Sequence, residues 1–410
     1  MWEPGTTASM LKSRPAAEPR LVGVALAGAL ALAMLVLGVV ALLGEWHLGA
    51  DSAVYRAGAL TLLKGEPLYT REALTTLPPW VLLPFTYTPA AAPLFLPLAI
   101  VPAGLTWGVV GALSVVCLSV VISVVARACG APITRWWVLP LATAGALALE
   151  PVWKTIFLGQ INLILMALIV LDALVLSARG SRWAGVLIGI SAAIKLTPLI
   201  FVPHLLFTGR WKDALRALGT FVVLEAVMFA VIPGDAFRFW TESATDPSRV
   251  GSVHWIFNQS LNGLVNRASE LAPWSLTVAI AVAAVLAVPA VWLVVRLHRR
   301  GDPVGALLVT AFYGLSVSPV SWSHHWVWTV PLLVLLVLRR SWVPAAGVVV
   351  LFASGVIMFV PNGGDTEFGW GPGWSLIGNG YVLAAAIAIT GLAVRELRRG
   401  SAQVAAVAAK

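Results

Sequence analysis

Several small polar clusters interrupt an otherwise apolar chain, and each holds residue types that can move a proton or grip an anion. The stretch "HLGADSAVYRAG", His47 to Gly58, carries Asp51 and Arg56. Glu150 and Lys154 precede "LGQINLIL", which presents Gln160 and Asn162. "FNQSLNG", Phe257 to Gly263, contains Asn258 and Gln259, and "SPVSWSHHW", Ser318 to Trp326, contains His324 and His325. Lys195 stands alone in "SAAIKLTPLI". One carboxylate near lysine, arginine, histidine and carboxamides suits a reaction that removes one proton and stabilises one anionic leaving group. A glycosidase would want two carboxylates in complementary roles.

Each group also has a structural reading. The histidine pair can belong to a wet loop between the interfacial Trp322 and Trp326. Gln160 and Asn162 can cap a helix or bridge to a neighbour. Lys195 can snorkel to an interface, but an ammonium among apolar neighbours is costly unless it is paired or lines a wet cavity. Asp172 and Glu225, each within an apolar run, read as structural.

The elements that position these residues follow from composition. Of 410 residues, 59% are hydrophobic and 11% charged, and the mean hydropathy is +0.90. No soluble core can hide so much apolar surface, and the long Leu, Val and Ala runs do not alternate as barrel strands do. The fold class is therefore an all-α, polytopic integral membrane protein. Runs consistent with spans lie near 21–44, 104–127, 136–150, 160–178, 214–232, 273–296, 303–319, 326–338, 342–360 and 378–396. The first exceeds a signal-peptide core of roughly 7–15 residues and reads as a retained helix. "TPAAAPLFLPLAIV", residues 88–101, reads as a short dipping or interfacial helix, because three prolines interrupt it. Residues 183–207 lie between two basic loops, so parity demands a hairpin with its turn at Lys195-Leu196-Thr197-Pro198.

The net charge of +9 raises the question of nucleic acid, and its distribution answers it. With both termini inside, 19 of the 27 Lys and Arg fall on cytoplasmic segments, including Lys12, Arg14 and Lys410, as the positive-inside rule requires. The remaining segments 45–87, 233–272 and 361–377 then lie outside, with 11 of the 18 acidic residues on that side. The excess positive charge is an orientation signal, and no nucleic-acid partner is expected. Cytoplasmic loops are too short for a nucleotide-binding domain, and neither a P-loop nor a dinucleotide fingerprint occurs. Cys117 and Cys129 fit neither a disulfide framework nor a metal site. Adjacent histidines without a spaced partner do not make a zinc site. All the polar clusters face the outer side, which suggests a site there.

Taken in order, Asp51 after the first span, "FTYTPAAAPLFLPLA", "GQINLILMALIVLDA", "AAIKLTPLIFVPHLL", "NQSLNG" and "SPVSWSHHW" resemble the actinobacterial polyprenyl-phosphate-mannose-dependent α-(1→2)-mannosyltransferases, glycosyltransferase family 87. The resemblance spans residues 21–396 and rests on the joint order of short motifs. It implies a GT-C fold with about 10–12 transmembrane helices and short extracytoplasmic interfacial helices. The implied layout is a catalytic domain at 21–396 between cytoplasmic tails at 1–20 and 397–410, in the plasma membrane. It implies transfer of mannose from polyprenyl-phosphate-mannose to a lipid-anchored glycan, such as a phosphatidylinositol mannoside, lipomannan or lipoarabinomannan. Asp51 is then the catalytic base. Arg56, Lys195, His324, His325, Gln160, Asn162, Asn258 and Gln259 are candidates for holding donor phosphate or substrate. Many related enzymes carry an acidic pair at the base position, whereas Ala50 and Ser52 flank Asp51 here. A metal bridged by two carboxylates is accordingly not expected, and the lipid-linked donor needs no further cofactor.

Two alternatives stay open at this point: a related sugar such as arabinose on the same kind of donor, and a lipid or sugar transporter, which would suit proline-broken helices and a membrane lysine. The orientation is directly testable. Single cysteines placed in 45–87, 233–272 or 361–377 should react with an impermeant maleimide in intact cells. Labelling of a 233–272 site only after permeabilisation would invert the map.

Overall fold

A computed structural model describes residues 18–70 and 73–408. Lys12, Arg14, Arg71, Lys410 and most of the 1–20 tail lie outside the described residues. Helices account for the fold: α1 (Glu18–Leu43), α2 (Ala50–Lys64), α3 (Ala91–Leu94), α4 (Leu96–Ala99), α5 (Ala103–Ala128), α6 (Val138–Ala146), α7 (Glu150–Leu158), α8 (Asn162–Leu171), α9 (Val186–Ile194), α10 (Phe201–Phe207) and α11 (Trp211–Val231). They continue with α12 (Pro233–Arg238), α13 (Leu261–Ala268), α14 (Ser275–Arg299), α15 (Pro303–Val317), α16 (Thr329–Leu338), α17 (Trp342–Ala353), α18 (Pro372–Gly378) and α19 (Gly380–Ala408). Among the described residues the only strand-like pairing is an isolated antiparallel bridge between Asn258 and Trp322.

Among the described residues, six helices are long and apolar enough to cross a bilayer: Leu21–Leu43, Ala103–Ala128, Trp211–Val231, Ser275–Arg299, Trp342–Phe359 and Gly380–Arg399. Many of their large apolar side chains face outward, for example Leu32, Val223, Val285 and Val350. In lipid this is the stable arrangement, since acyl chains solvate leucine and valine as well as a protein core does. α1 and α5 cross where Gly38 meets Gly108, and a Cβ on either would come 2.6 Å from the other's Cα. Small residues are what permit such backbone contact between membrane helices.

Four further apolar helical segments, 162–176, 197–207, 303–317 and 323–338, are shorter than the ~20 residues of a full crossing. The span expected at 136–150 is not one straight helix. It breaks between α6 and α7 with a 77° bend, and α7 continues to Leu158. The break turns α7 across the end of the bundle, where it packs under the 323–328 segment. The expected hairpin is present. α9 ends at Ile194, Lys195 is fully extended (φ −148°, ψ 131°), and a 3-10 turn at Thr197–Ile200 leads into α10. Residues 88–101 form the short α3 and α4, which pack on α2.

Asp172 behaves structurally: its two carboxylate oxygens accept the Gly185 and Ile188 amides at 2.6 and 3.0 Å, which secures the start of α9. The long connecting segments converge at one end of the bundle. The Leu68 amide donates to Asp235 at 3.1 Å, and Arg249 donates to the Thr70 carbonyl at 2.9 Å. The Ile256 amide donates to Glu367 at 3.2 Å, and Trp255 Nε1 to Asn362 at 3.2 Å. Segments 45–87, 233–272 and 361–377 thus form one cap over the helices.

Candidate active site

The cap holds Asp51 where two helix ends touch. α2 begins after Gly49 and α7 ends at Gly159, both left-handed (φ 75° and 67°). The Gly49 amide donates to the Phe157 carbonyl at 3.2 Å. A Cβ on Gly159 would lie 2.5 Å from Ser52 Oγ and 3.3 Å from Gly49 Cα, so only glycine allows this approach. The contact brings Asp51, in the first turn of α2, beside Gln160, the residue after Gly159. Asp51 does not cap the helix: the N-cap position is Gly49, with no side-chain cap bond. Its half-buried carboxyl is pushed up from 3.8 to about 6, chiefly by loss of water, against the opposing pull of the Gln160 amide and the Lys195 charge.

Lys195 reaches the same region from the hairpin turn. Its Nζ lies 2.9 Å from His325 Nε2 and 3.3 Å from Asn162 Oδ1. Asn162 uses its other end to donate to the His324 carbonyl at 2.9 Å, and Thr155 Oγ1 donates to that same carbonyl at 2.8 Å. One carboxamide therefore ties the lysine and the histidine loop together. His324, 7% exposed, packs edge-on against His325 at 4.7 Å. Neither His324 ring nitrogen has a hydrogen-bond partner among the described residues. A buried imidazole in that state has donor or acceptor capacity available for a ligand.

The other sequence candidates are placed differently. Asn258 and Gln259 are fully buried. Asn258 accepts the Ser321 amide at 2.9 Å and donates to the Val253 carbonyl at 2.8 Å. Gln259 donates to the Ile256 and Gly378 carbonyls at 2.6 and 2.7 Å and accepts the Tyr381 amide at 3.1 Å. Their amides hold the histidine segment in place from behind. Arg56 Nε donates to the Val101 carbonyl at 2.7 Å, which fixes α2 to the loop before α5.

Sequence reasoning missed one group and noted a second without giving it a role. Tyr55 and Tyr87 sit behind Asp51 and bond to Gln160. Their signal was a tyrosine one helical turn after Asp51 and the polar "TYT" inside a proline-rich apolar run. Glu150 and Lys154 form the second group: Glu150 accepts from Ser323 at 2.7 Å and Tyr381 at 3.1 Å, and its partner Lys154 lies 3.5 Å away. Lys154 Nζ also stands 3.2 Å from the centroid of the Phe257 ring. This buried pair bolts α7 to the loop that carries the histidines.

A carboxyl of raised pKa opposite a lysine–histidine cluster, at one end of a multi-pass helical bundle, is an arrangement suited to transfer chemistry at a membrane surface. A profile of glycosyltransferase family 87 matches residues 85–319, and with the all-helical fold it defines a membrane glycosyltransferase. The chain belongs to glycosyltransferase family 87. It is 32% identical over 404 residues to the polyprenol-phosphate-mannose-dependent α-(1-2)-phosphatidylinositol mannoside mannosyltransferase of Mycobacterium tuberculosis, covering 90% of this chain and 92% of that protein. The Mycolicibacterium smegmatis protein of that name is 35% identical over 315 residues, 72% of this chain and 70% of its own length. A Mycobacterium tuberculosis α-(1-2)-phosphatidylinositol pentamannoside mannosyltransferase, also polyprenol-phosphate-mannose-dependent, is 35% identical over 323 residues, 75% of this chain and 72% of its own. No solved structure matches the chain. Family membership makes the protein an enzyme and removes the transporter alternative.

The glycine contact generates a prediction. Gly159→Ala must move Ser52 or the turn and adopt a left-handed backbone with a Cβ, which should cost about 1–3 kcal/mol. A lowered unfolding temperature in detergent and a matching loss of transfer activity are the expected readings. Unchanged stability and rate would show that the approach of α2 to α7 is not needed.

Proposed function

We propose that the protein transfers mannose from polyprenyl-phosphate-mannose to a phosphatidylinositol mannoside or a related lipid-anchored mannan, forming an α-1,2 linkage on the extracytoplasmic face. The observation that carries the reading is the Lys195–His325 contact on the same side of the bundle as Asp51. These groups come from distant parts of the chain, yet the Lys195 charge acts on the Asp51 carboxyl. The relatives named above supply the sugar, donor and acceptor class.

The chemistry follows from the two poles of the site. A hydroxyl oxygen of the acceptor attacks the anomeric carbon of a β-mannosyl phosphate from the opposite face. Its proton passes to Asp51, the bond from the anomeric carbon to the phosphate oxygen breaks, and the electron pair leaves with the phosphate. Inversion yields the α-mannoside. Asp51 serves as base because its raised pKa sits nearer the working pH than that of an ordinary carboxylate. Lys195 and the histidines stabilise the departing phosphate, a leaving group that needs no proton. Leu165, Met166, Phe201, Leu315 and Trp328 line a small cleft together with Lys195 and His325, so apolar surface adjoins the cation as it would for a lipid-linked phosphate. The basic bias of the opposite end of the bundle supports an extracytoplasmic site.

Purified protein, labelled polyprenyl-phosphate-mannose and a phosphatidylinositol mannoside acceptor provide the assay, and sugar transfer without any ion gradient is expected. Asp51→Asn keeps size and most hydrogen bonding but accepts no proton, so turnover should fall on the order of 10²–10⁴-fold. Donor binding should change little, and wild-type turnover in this variant would remove Asp51 from the mechanism. The base acts only when ionised, so kcat/KM should rise through an acid limb near pH 6, following the Asp51 carboxyl, and a limb near 4 would contradict the burial argument. Lys195→Ala should weaken donor use while the protein remains inserted. Lys195→Arg is not expected to restore it, because a planar guanidinium does not fit between Asn162 and His325 as an ammonium does. Unchanged donor KM and turnover in Lys195→Ala would leave the lysine with a structural role alone.

A further inference from the structure

Behind Asp51 lies a closed chain of buried hydrogen bonds whose donors and acceptors can be counted. The Ile161 amide donates to Tyr55 Oη at 3.1 Å. The Tyr55 hydroxyl donates to Gln160 Oε1 at 2.9 Å. Gln160 Nε2 donates to Tyr87 Oη at 3.2 Å, and the two tyrosine hydroxyls meet at 3.0 Å. Tyr55, Tyr87 and Gln160 are 1%, 6% and 5% exposed. The rings cannot swing away: Tyr55 and Tyr87 pack edge to face at 5.0 Å, and Tyr55 stacks on Phe95 at 4.5 Å.

The tyrosine hydroxyls can rotate to satisfy either flip of the amide, and the ionised Asp51 carboxylate, which can only accept, selects the one with Nε2 on its side. With Oε1 accepting from Tyr55 and one Nε2 proton on Tyr87, Gln160 has a single N–H left. Asp51 lies one helical turn before Tyr55 on the same face of α2, beside the amide that Tyr55 holds. Both tyrosines stay protonated, since burial raises their hydroxyls further above their ordinary value. The network therefore does not change by losing a proton near neutral pH, and with Asp51 ionised it turns a donor towards the carboxylate.

We infer that Gln160 is a positioning residue, clamped by Tyr55 and Tyr87, that aims the Asp51 carboxylate and does not contact the sugar. The inference rests on the reading of Asp51 as base. It also revises the sequence expectation that Gln160 holds substrate. The charged and titratable groups facing Asp51 are Lys195 from the hairpin, Tyr55 from α2 and Tyr87 from the segment before α3. Lys195 draws the carboxyl pKa down over distance, and Gln160 draws it down from beside the carboxyl, where the clamped amide also orients the acid.

The test uses the full-length enzyme with labelled polyprenyl-phosphate-mannose and a phosphatidylinositol mannoside. Gln160→Met keeps length and volume but removes both ends of the amide. Tyr87→Phe keeps the ring and removes one partner of Nε2. For Gln160→Met, kcat should fall roughly 10–100-fold with both KM values within about twofold of wild type. Its acid limb in kcat/KM should move upward by about one pH unit, because a hydrogen bond to the charged form has been lost. Tyr87→Phe should move the limb in the same direction by less, and it decides the question if Gln160→Met does not fold. A raised KM for donor or acceptor with the limb in place would mean that Gln160 touches substrate and would overturn the inference. Loss of activity only in proportion to loss of folded protein, with an unmoved limb, would reduce the network to structural support and also overturn it. Asp51→Asn separates the two readings: an inactive Asp51→Asn with unmoved limbs in both variants defeats positioning alone, whereas a fully active one defeats the base itself.

Discussion

Asp51 meets Gln160 because backbone touches backbone where Gly49 and Gly159 pass each other. That approach sets the relation between α2, which carries the carboxyl and Tyr55, and α7, which leads into Gln160 and Asn162. A single methyl group at Gly159 would collide with Ser52. The left-handed turns at both glycines let α2 begin and α7 end at the same point. From there the geometry propagates. Gln160 takes its direction from the tyrosines, and Asn162, at the start of α8, reaches both Lys195 and the histidine loop.

Burial gives these polar groups their meaning. In apolar surroundings an unpaired polar atom costs far more than a paired one gains, so nearly every buried group should be satisfied. Glu150, Asn258 and Gln259 obey that rule through backbone and side-chain partners, and they build the wall behind the histidines. Exceptions occur in several places, both oxygens of Glu225 among them, and one falls in the site: among the described residues His324 has no partner for either ring nitrogen. The Asp51 carboxyl nearby is raised to about 6. Saturated groups hold the site together, and groups with remaining capacity are free to meet a ligand.

Helix breaks serve the same end. A straight span at 136–150 would carry its residues through the bilayer, but the 77° bend lays α7 across the end of the bundle beneath the histidine loop. The α9–α10 hairpin stops short of a crossing, and its extended residue is Lys195. Non-helical backbone at membrane depth is tolerated where it lines a cavity. Here it supplies Lys195, whose ammonium meets His325 and Asn162.

Much of this was legible in the sequence, because hydrophobic length and basic asymmetry report directly on insertion. The all-helical membrane class, the hairpin around Lys195, the interfacial helices at 88–101 and the candidacy of Asp51 all follow from local pattern or motif order. Polarity alone marked Asn258 and Gln259 as candidates for substrate, and it cannot reveal that their amides are saturated by Ser321, Gly378 and Tyr381. Nor could it reveal that Tyr87 lies 3.0 Å from Tyr55, since hydroxyls 32 residues apart meet only when Phe95 and α2 pack together. Composition is a property of segments, and a membrane reads segments. Saturation and alignment of hydrogen bonds depend on distances between segments, and only tertiary packing decides those.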